Sequence, residues 1–162
     1  MKKYIPILGV VLAVGWMMII FYFSSKTGAE IDNTQSFFVK RIVLWFEGSE
    51  FNDYPISRQQ AIISRYSYFL SKTAHYFEYG ILCYFCFLLF FHLKKYHLRY
   101  IMSLLICILY AIGDEYHQVF SSGRTPRVQD VLIDFLGALT AILLIELFLT
   151  IRQIIKTGKN YD

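Results

Sequence analysis

Four acids in the second half of the sequence have the spacing of a working site. Asp130-x-x-x-Asp134 places two carboxylates one helical turn apart on one face. Asp114 and Glu115 supply two more, with Gln118 a turn beyond Asp114. Asp114, Glu115, Asp130 and Asp134 together form the all-oxygen donor set that a divalent cation takes. Such a cation would polarise a phosphoryl oxygen or generate a hydroxide. Arg124 and Arg127 fall between the acid pairs and can grip a phosphate. A further polar set comes earlier: Lys72, His75, Glu78 and Tyr79, of which Lys72, His75 and Tyr79 share a helical face. With His75, the acids at 114 and 115 could also relay protons.

These residues must be positioned by membrane helices. Hydrophobic residues make up 56% of the 162, and aromatics 19%, too apolar for an ordinary soluble domain of this size. Apolar runs predict four spans, at about 4–23, 72–92, 99–119 and 131–150, within a single domain over 1–162. The first run, Tyr4 to Phe23, has 20 residues without a charge, about 30 Å as a helix, the thickness of the hydrocarbon core. It lacks a small-x-small cleavage site and reads as a retained span. The charge-free parts of spans two and three, Tyr79 to Phe91 and Tyr100 to Gly113, have only 13 and 14 residues, about 21 Å for the longer. Their polar ends must therefore enter the bilayer. Lys72, His75 and Glu78 enter with span two, Asp114, Glu115 and Gln118 with span three, and Asp134 with span four. Charges there are costly unless they face the bundle interior and pair, so one polar pocket at the outer leaflet is expected. Below it, Gly137-x-x-x-Ala141 permits close helix approach.

The 24–71 segment is read as an extracellular loop carrying two amphipathic surface helices. One opens at the capping-box-like Asp32-Asn33-Thr34-Gln35, and the other at Ser57 to Gln60. The fold class is thus all-α, a four-span bundle with amphipathic helices in its first loop. Dense basic clusters at Lys2-Lys3, Lys94-Lys95-Arg99 and Arg152-Lys156-Lys159 assign both termini to the cytoplasm. The basic residues form no single stripe, which argues against a nucleic-acid partner. Cys83, Cys86 and Cys107 all lie in apolar runs and read as small packing residues. Glu146 reads as a snorkelling acid or a partner of Arg152.

The order Phe23-Ser24-Ser25, Lys72-Thr-Ala-His75-Tyr76-Phe-Glu78-Tyr79, Asp114-Glu115-Tyr-His117-Gln118-Val-Phe120, Gly123-Arg124 and Val128-Gln-Asp130-Val-Leu-Ile-Asp134-Phe-Leu-Gly137-Ala138 resembles the VanZ-like family. Lys26 stands where many members show Gln, and Asp134 where Asn is common. The resemblance implies a multi-pass protein of the bacterial cytoplasmic membrane, typical of Gram-positive cells. It also implies a link to the cell envelope and to resistance against the glycopeptide teicoplanin, and brings no settled biochemical activity.

Three functions stay open at this point. One is an envelope factor that alters glycopeptide access. The second is a metal-dependent enzyme on a lipid or lipid-linked head group. The third is a small proton-coupled transporter. The expected partners are membrane lipid and a cell-wall precursor or lipid head group. Against all three stands a purely structural cluster, with Lys72 and Arg124 neutralising acids to pin helices together. The acids outnumber the bases: Glu78, Asp114, Glu115, Asp130 and Asp134 against Lys72, Arg124 and Arg127. That excess calls for a proton or a cation, which a scaffold does not need.

Overall fold

A computed structural model describes residues 2–25, 28–120 and 127–158, and among these it contains helices and no strand. The first apolar run forms α1 (Ile5–Ser24), with Pro6 in its first turn, where a missing N–H removes no helical hydrogen bond. α2 (Gly28–Glu47) follows and stops at Gly48, whose φ of 74° suits a residue without a side chain. A 3-10 turn at Ser49–Asp53 leads to α3 (Ile56–Leu89). A second turn at Phe90–His92 leads to α4 (Tyr96–Gln118), and α5 (Val128–Gly158) completes the described chain. α1, α3, α4 and α5 are each long and apolar enough to cross a membrane.

Cross-helix pairs set the directions. Lys72 meets Asp130, His75 meets Asp134 and Gly80 lies against Gly137, so α3 and α5 run the same way. Tyr79 approaches Tyr110 and Phe87 approaches Tyr100, so α4 runs opposite to α3. Trp16 reaches the Glu78 carbonyl and Gly9 abuts the backbone of Leu88 and Leu89, so α1 also opposes α3. One end of the bundle therefore collects Ser24, Lys72, Asp114 and Asp130. The other collects the Lys94-Lys95 turn and the N-terminal end of α1. We call these the acidic and the basic ends.

The burial pattern is that of a protein in lipid. On α4 Asp114, Glu115 and Gln118 are buried, while Ile112 is 52% exposed. On α5 Asp130 and Asp134 are buried, while Leu132 is 56% exposed. Water would favour the reverse; hydrocarbon favours this arrangement. The bundle core sets the fully buried Tyr79 among smaller residues, including Ala13, Ile20, Leu82, Cys83, Cys86, Cys107, Ala111 and Ala138. The three cysteines are free and buried, and Cys107 of α4 engages both Cys83 and Cys86 of α3.

Three sequence expectations change. Residues 32–35 lie inside α2, which already begins at Gly28, so they do not open it. α3 starts at Ile56 after Pro55, without a side-chain cap. The expected Ser57–Gln60 capping box does not form; the neighbouring Gln59 instead ties the helix start to the preceding turn, donating to the carbonyls of Asn52 and Tyr54 at 3.2 and 2.9 Å. Most importantly, the second amphipathic segment is no separate surface helix. It continues unbroken into span two, making α3 a 34-residue rod, about 51 Å long and longer than the hydrocarbon is thick. Its first half forms a second apolar cluster with α2, in which Val39, Val43 and Phe51 are buried against Ile62, Ile63 and Tyr66. No helix-breaking residue occurs between Ile56 and Leu89 until Gly80, so nothing in the backbone ends the helix where its amphipathic character changes.

The basic end is held by Arg99, which the sequence reading counted only as a topology charge. It is buried, donates through Nε to the Leu93 carbonyl at 2.7 Å, and lies over the rings of Tyr96 and Phe91 at 4.5 and 4.8 Å. A guanidinium between aromatic faces is well placed to fix a short helix connection. Glu146 is also reassigned: it accepts a hydrogen bond from the Tyr100 hydroxyl rather than pairing with Arg152.

Candidate functional site: a buried acidic cluster shared by three helices

The site grows from the parallel packing of α3 and α5. Gly137 makes it possible, because a side chain there would strike the Tyr76 carbonyl. With the backbones this close, Lys72 forms an ion pair with Asp130. One turn further along, His75 Nδ1 donates to Asp134 Oδ1 at 3.2 Å. The lysine side chain is 17% exposed and the Asp130 side chain 9%, so the pair is largely withdrawn from solvent.

α4 adds the remaining acids. Asp114 and Gln118 are one turn apart above buried Ala111, and Gln118 Nε2 donates to Asp114 Oδ2 at 3.3 Å. Glu115 reaches toward α5, where its Oε2 accepts the Arg127 main-chain N–H at 2.8 Å. Arg127 therefore serves the cluster through its backbone; the residue is itself exposed, and the expected grip of its guanidinium on the site is not what is seen. Asp134 and Asp114 are electrostatic neighbours of the Tyr79 hydroxyl, and Asp130, Asp134 and His75 are neighbours of Glu115.

The cluster brings together Lys72, His75, Tyr79, Asp114, Glu115, Gln118, Asp130 and Asp134. Glu78 is half-buried a turn below His75, and its main-chain carbonyl accepts the Trp16 indole N–H at 2.9 Å. Arg124 lies outside the described residues. Among the described residues, no three His, Cys, Asp or Glu groups are arranged to hold a metal ion. The four acids named for a divalent cation thus meet pairwise with other partners, not as a cage.

Three carboxylates are only half satisfied. Asp114 Oδ1, Glu115 Oε1 and Asp134 Oδ2 are buried without a hydrogen-bond partner among the described residues, and so is the Tyr79 hydroxyl. Each unmet buried acceptor costs about 1–3 kcal/mol. Unmet acceptors of this kind favour a donor-rich or cationic partner.

Sequence reasoning assigned α1 no role, yet it closes the acidic end. Ser25 Oγ lies 3.2 Å from His117 Nε2, and the His117 ring stacks on Phe21 at 4.6 Å. Tyr110 donates to the Met17 carbonyl at 2.6 Å. The one available signal was positional: Phe23-Ser24-Ser25 ends span one at the depth where the acids begin.

No curated protein and no solved structure matches this chain. A family model described as VanZ/LLP1 matches residues 9–149, a stretch that runs from within α1 through most of α5 and includes every residue of the cluster. The chain belongs to the VanZ/LLP1 family.

Proposed function

We propose that this protein is a multi-pass envelope protein of the bacterial cytoplasmic membrane. Its acidic cluster receives the polar head of an envelope lipid or lipid-linked cell-wall precursor, and by doing so it lowers susceptibility to glycopeptides of the teicoplanin type. The observation that carries this reading is the set of orphaned acceptors on Asp114, Glu115 and Asp134, at the end of the bundle where a lipid head group would lie. An ion pair that merely pinned helices would need no surplus acceptors. Membership of the VanZ/LLP1 family supports the envelope part of this reading, through the link to the cell envelope that the sequence resemblance implies.

Asp114→Asn and Glu115→Gln are nearly isosteric and remove charge without opening a cavity. Each is expected to reduce resistance in a host strain to the level of empty vector, with membrane abundance and thermal stability close to wild type. If resistance falls only in proportion to lost protein, the cluster is scaffolding. If wild-type protein gives no glycopeptide phenotype, the resistance part of the reading is wrong.

The orientation follows from the basic end, where exposed Lys94 and Lys95 would face the cytoplasm. Cys83, Cys86 and Cys107 are buried, so native background labelling should be low. Lys95→Cys should then react with a membrane-impermeant maleimide only after cells are opened. Labelling in intact cells would invert the topology.

The His75–Asp134 hydrogen bond favours one further reading, proton transfer through His75 toward Glu115 in a small transporter. Flux driven by a pH gradient in proteoliposomes, lost in His75→Gln, would establish it.

A further inference from the structure

Directly below the Lys72–Asp130 pair, α3 and α5 leave a groove between them. Tyr76, Gly80 and Tyr84 line one wall, and Gly137, Ala141 and Leu144 the other, around a volume of about 310 Å³. These positions continue the same helix faces as the ion pair: Tyr76 and Gly80 lie one and two turns beyond Lys72, and Gly137 and Ala141 two and three turns beyond Asp130. From Tyr76 to Tyr84 the groove runs about 12 Å along the helix axis. It lies within two membrane-crossing helices, and its rim residues Phe77 and Leu144 are each 60% exposed. It therefore opens sideways to hydrocarbon. The Tyr76 hydroxyl donates to Thr140 Oγ1 at 2.7 Å, so these two polar groups of the wall satisfy each other and the lining is mostly apolar.

An apolar slot with a charged couple at its upper end has the polarity of a single membrane lipid, head at the bundle end and tail toward the bilayer centre. The charges narrow the head group. Lys72 has three N–H donors and can hold a phosphate oxygen while still bonded to Asp130. Among the described residues Lys72 pairs with Asp130, so a cation and an anion stand side by side at this end of the groove. A purely anionic head group would satisfy Lys72 but repel the adjoining Asp130 carboxylate. A zwitterionic one matches both members of the pair, with its phosphate on Lys72 and its ammonium toward Asp130, the two side chains being 17% and 9% exposed.

We infer that the α3–α5 groove seats one acyl chain of a phosphoethanolamine-type phospholipid whose head group occupies the Lys72–Asp130 end of the acidic cluster. This rests on the head-group reading above and names the ligand class for it.

The test is native mass spectrometry of the purified full-length protein in detergent, with phosphatidylethanolamine, phosphatidylglycerol or diacylglycerol added at equal concentration. Wild-type protein should retain one phosphatidylethanolamine, and at least tenfold less of the other two. Ala141→Phe fills the groove and should lower phosphatidylethanolamine occupancy at least tenfold. Ile81→Trp fills it from the opposite wall and serves the same purpose if the first variant is unstable. Retention by both groove variants at the wild-type level overturns the groove assignment. Equal retention of phosphatidylglycerol or diacylglycerol overturns the head-group assignment. Susceptibility of a host strain carrying Ala141→Phe tests the two readings separately: lipid and resistance lost together uphold both, and wild-type resistance with the lipid lost upholds the groove and overturns the role of the bound head group in resistance.

Discussion

Lys72→Met should destabilise the folded protein by about 3–5 kcal/mol, because it leaves the buried Asp130 carboxylate without its counter-charge. Exposed ion pairs contribute ~0–1 kcal/mol, and the choice between the two regimes rests on burial: the Asp130 side chain is 9% exposed, and its neighbours Glu115 and Asp134 are acids that add repulsion. The double variant Lys72→Met with Asp130→Leu removes both charges at once and should recover most of the loss, since apolar pairs of similar volume often replace buried ion pairs at little cost. Thermal unfolding in detergent over the four-member cycle measures the coupling. A loss below about 1 kcal/mol in the single variant would place the pair in the solvent-screened regime. The double variant also separates structure from function. If it folds like wild type and still fails in the susceptibility assay, the pair does more than join α3 to α5.

Gly137→Ala should cost about 3 kcal/mol or more, at the upper end of the usual penalty for overpacking. The added carbon would meet the carbonyl and Cα of Tyr76, which are main-chain atoms of an intact helix and cannot rotate aside. Relief requires α3 and α5 to separate, and the Lys72–Asp130 and His75–Asp134 contacts lie on the same interface within two turns. Activity should therefore fall with stability. Gly15→Ala and Gly113→Ala are the matched controls. A carbon added at either position meets nothing within 4 Å, so each should be neutral or gain up to ~1 kcal/mol from improved helix propensity. Comparable melting temperatures for all three variants would mean that the close crossing at Gly137 does not exist.

Membrane character, four helices long enough to span a bilayer and the depth shared by most of the polar residues were legible in the residues alone. Those conclusions need only run length, the thickness of the bilayer and the period of a helix. Asp114, Gln118, Asp130, Asp134 and Tyr79 could be placed on inward faces because an ionisable side chain in hydrocarbon has one tolerable direction. Partnership was beyond that logic. Nothing in the spacing assigns Lys72 to Asp130 and His75 to Asp134; the parallel register of α3 on α5 decides it, and Gly137 permits the approach. The sequence also suggested Arg127 as a side-chain ligand, whereas its backbone N–H is what reaches Glu115, since the start of a helix presents unpaired N–H groups whatever the side chain. Amphipathic patterning divided 56–89 into a surface helix and a span because it records which face is wet, while helix continuity depends on the backbone, which has no reason to break there. Arg99 and the α1 contacts of His117 were invisible for a related reason. A charge at a helix start reads as a topology signal, and only the folded turn brings Phe91, Tyr96 and the Leu93 carbonyl around it.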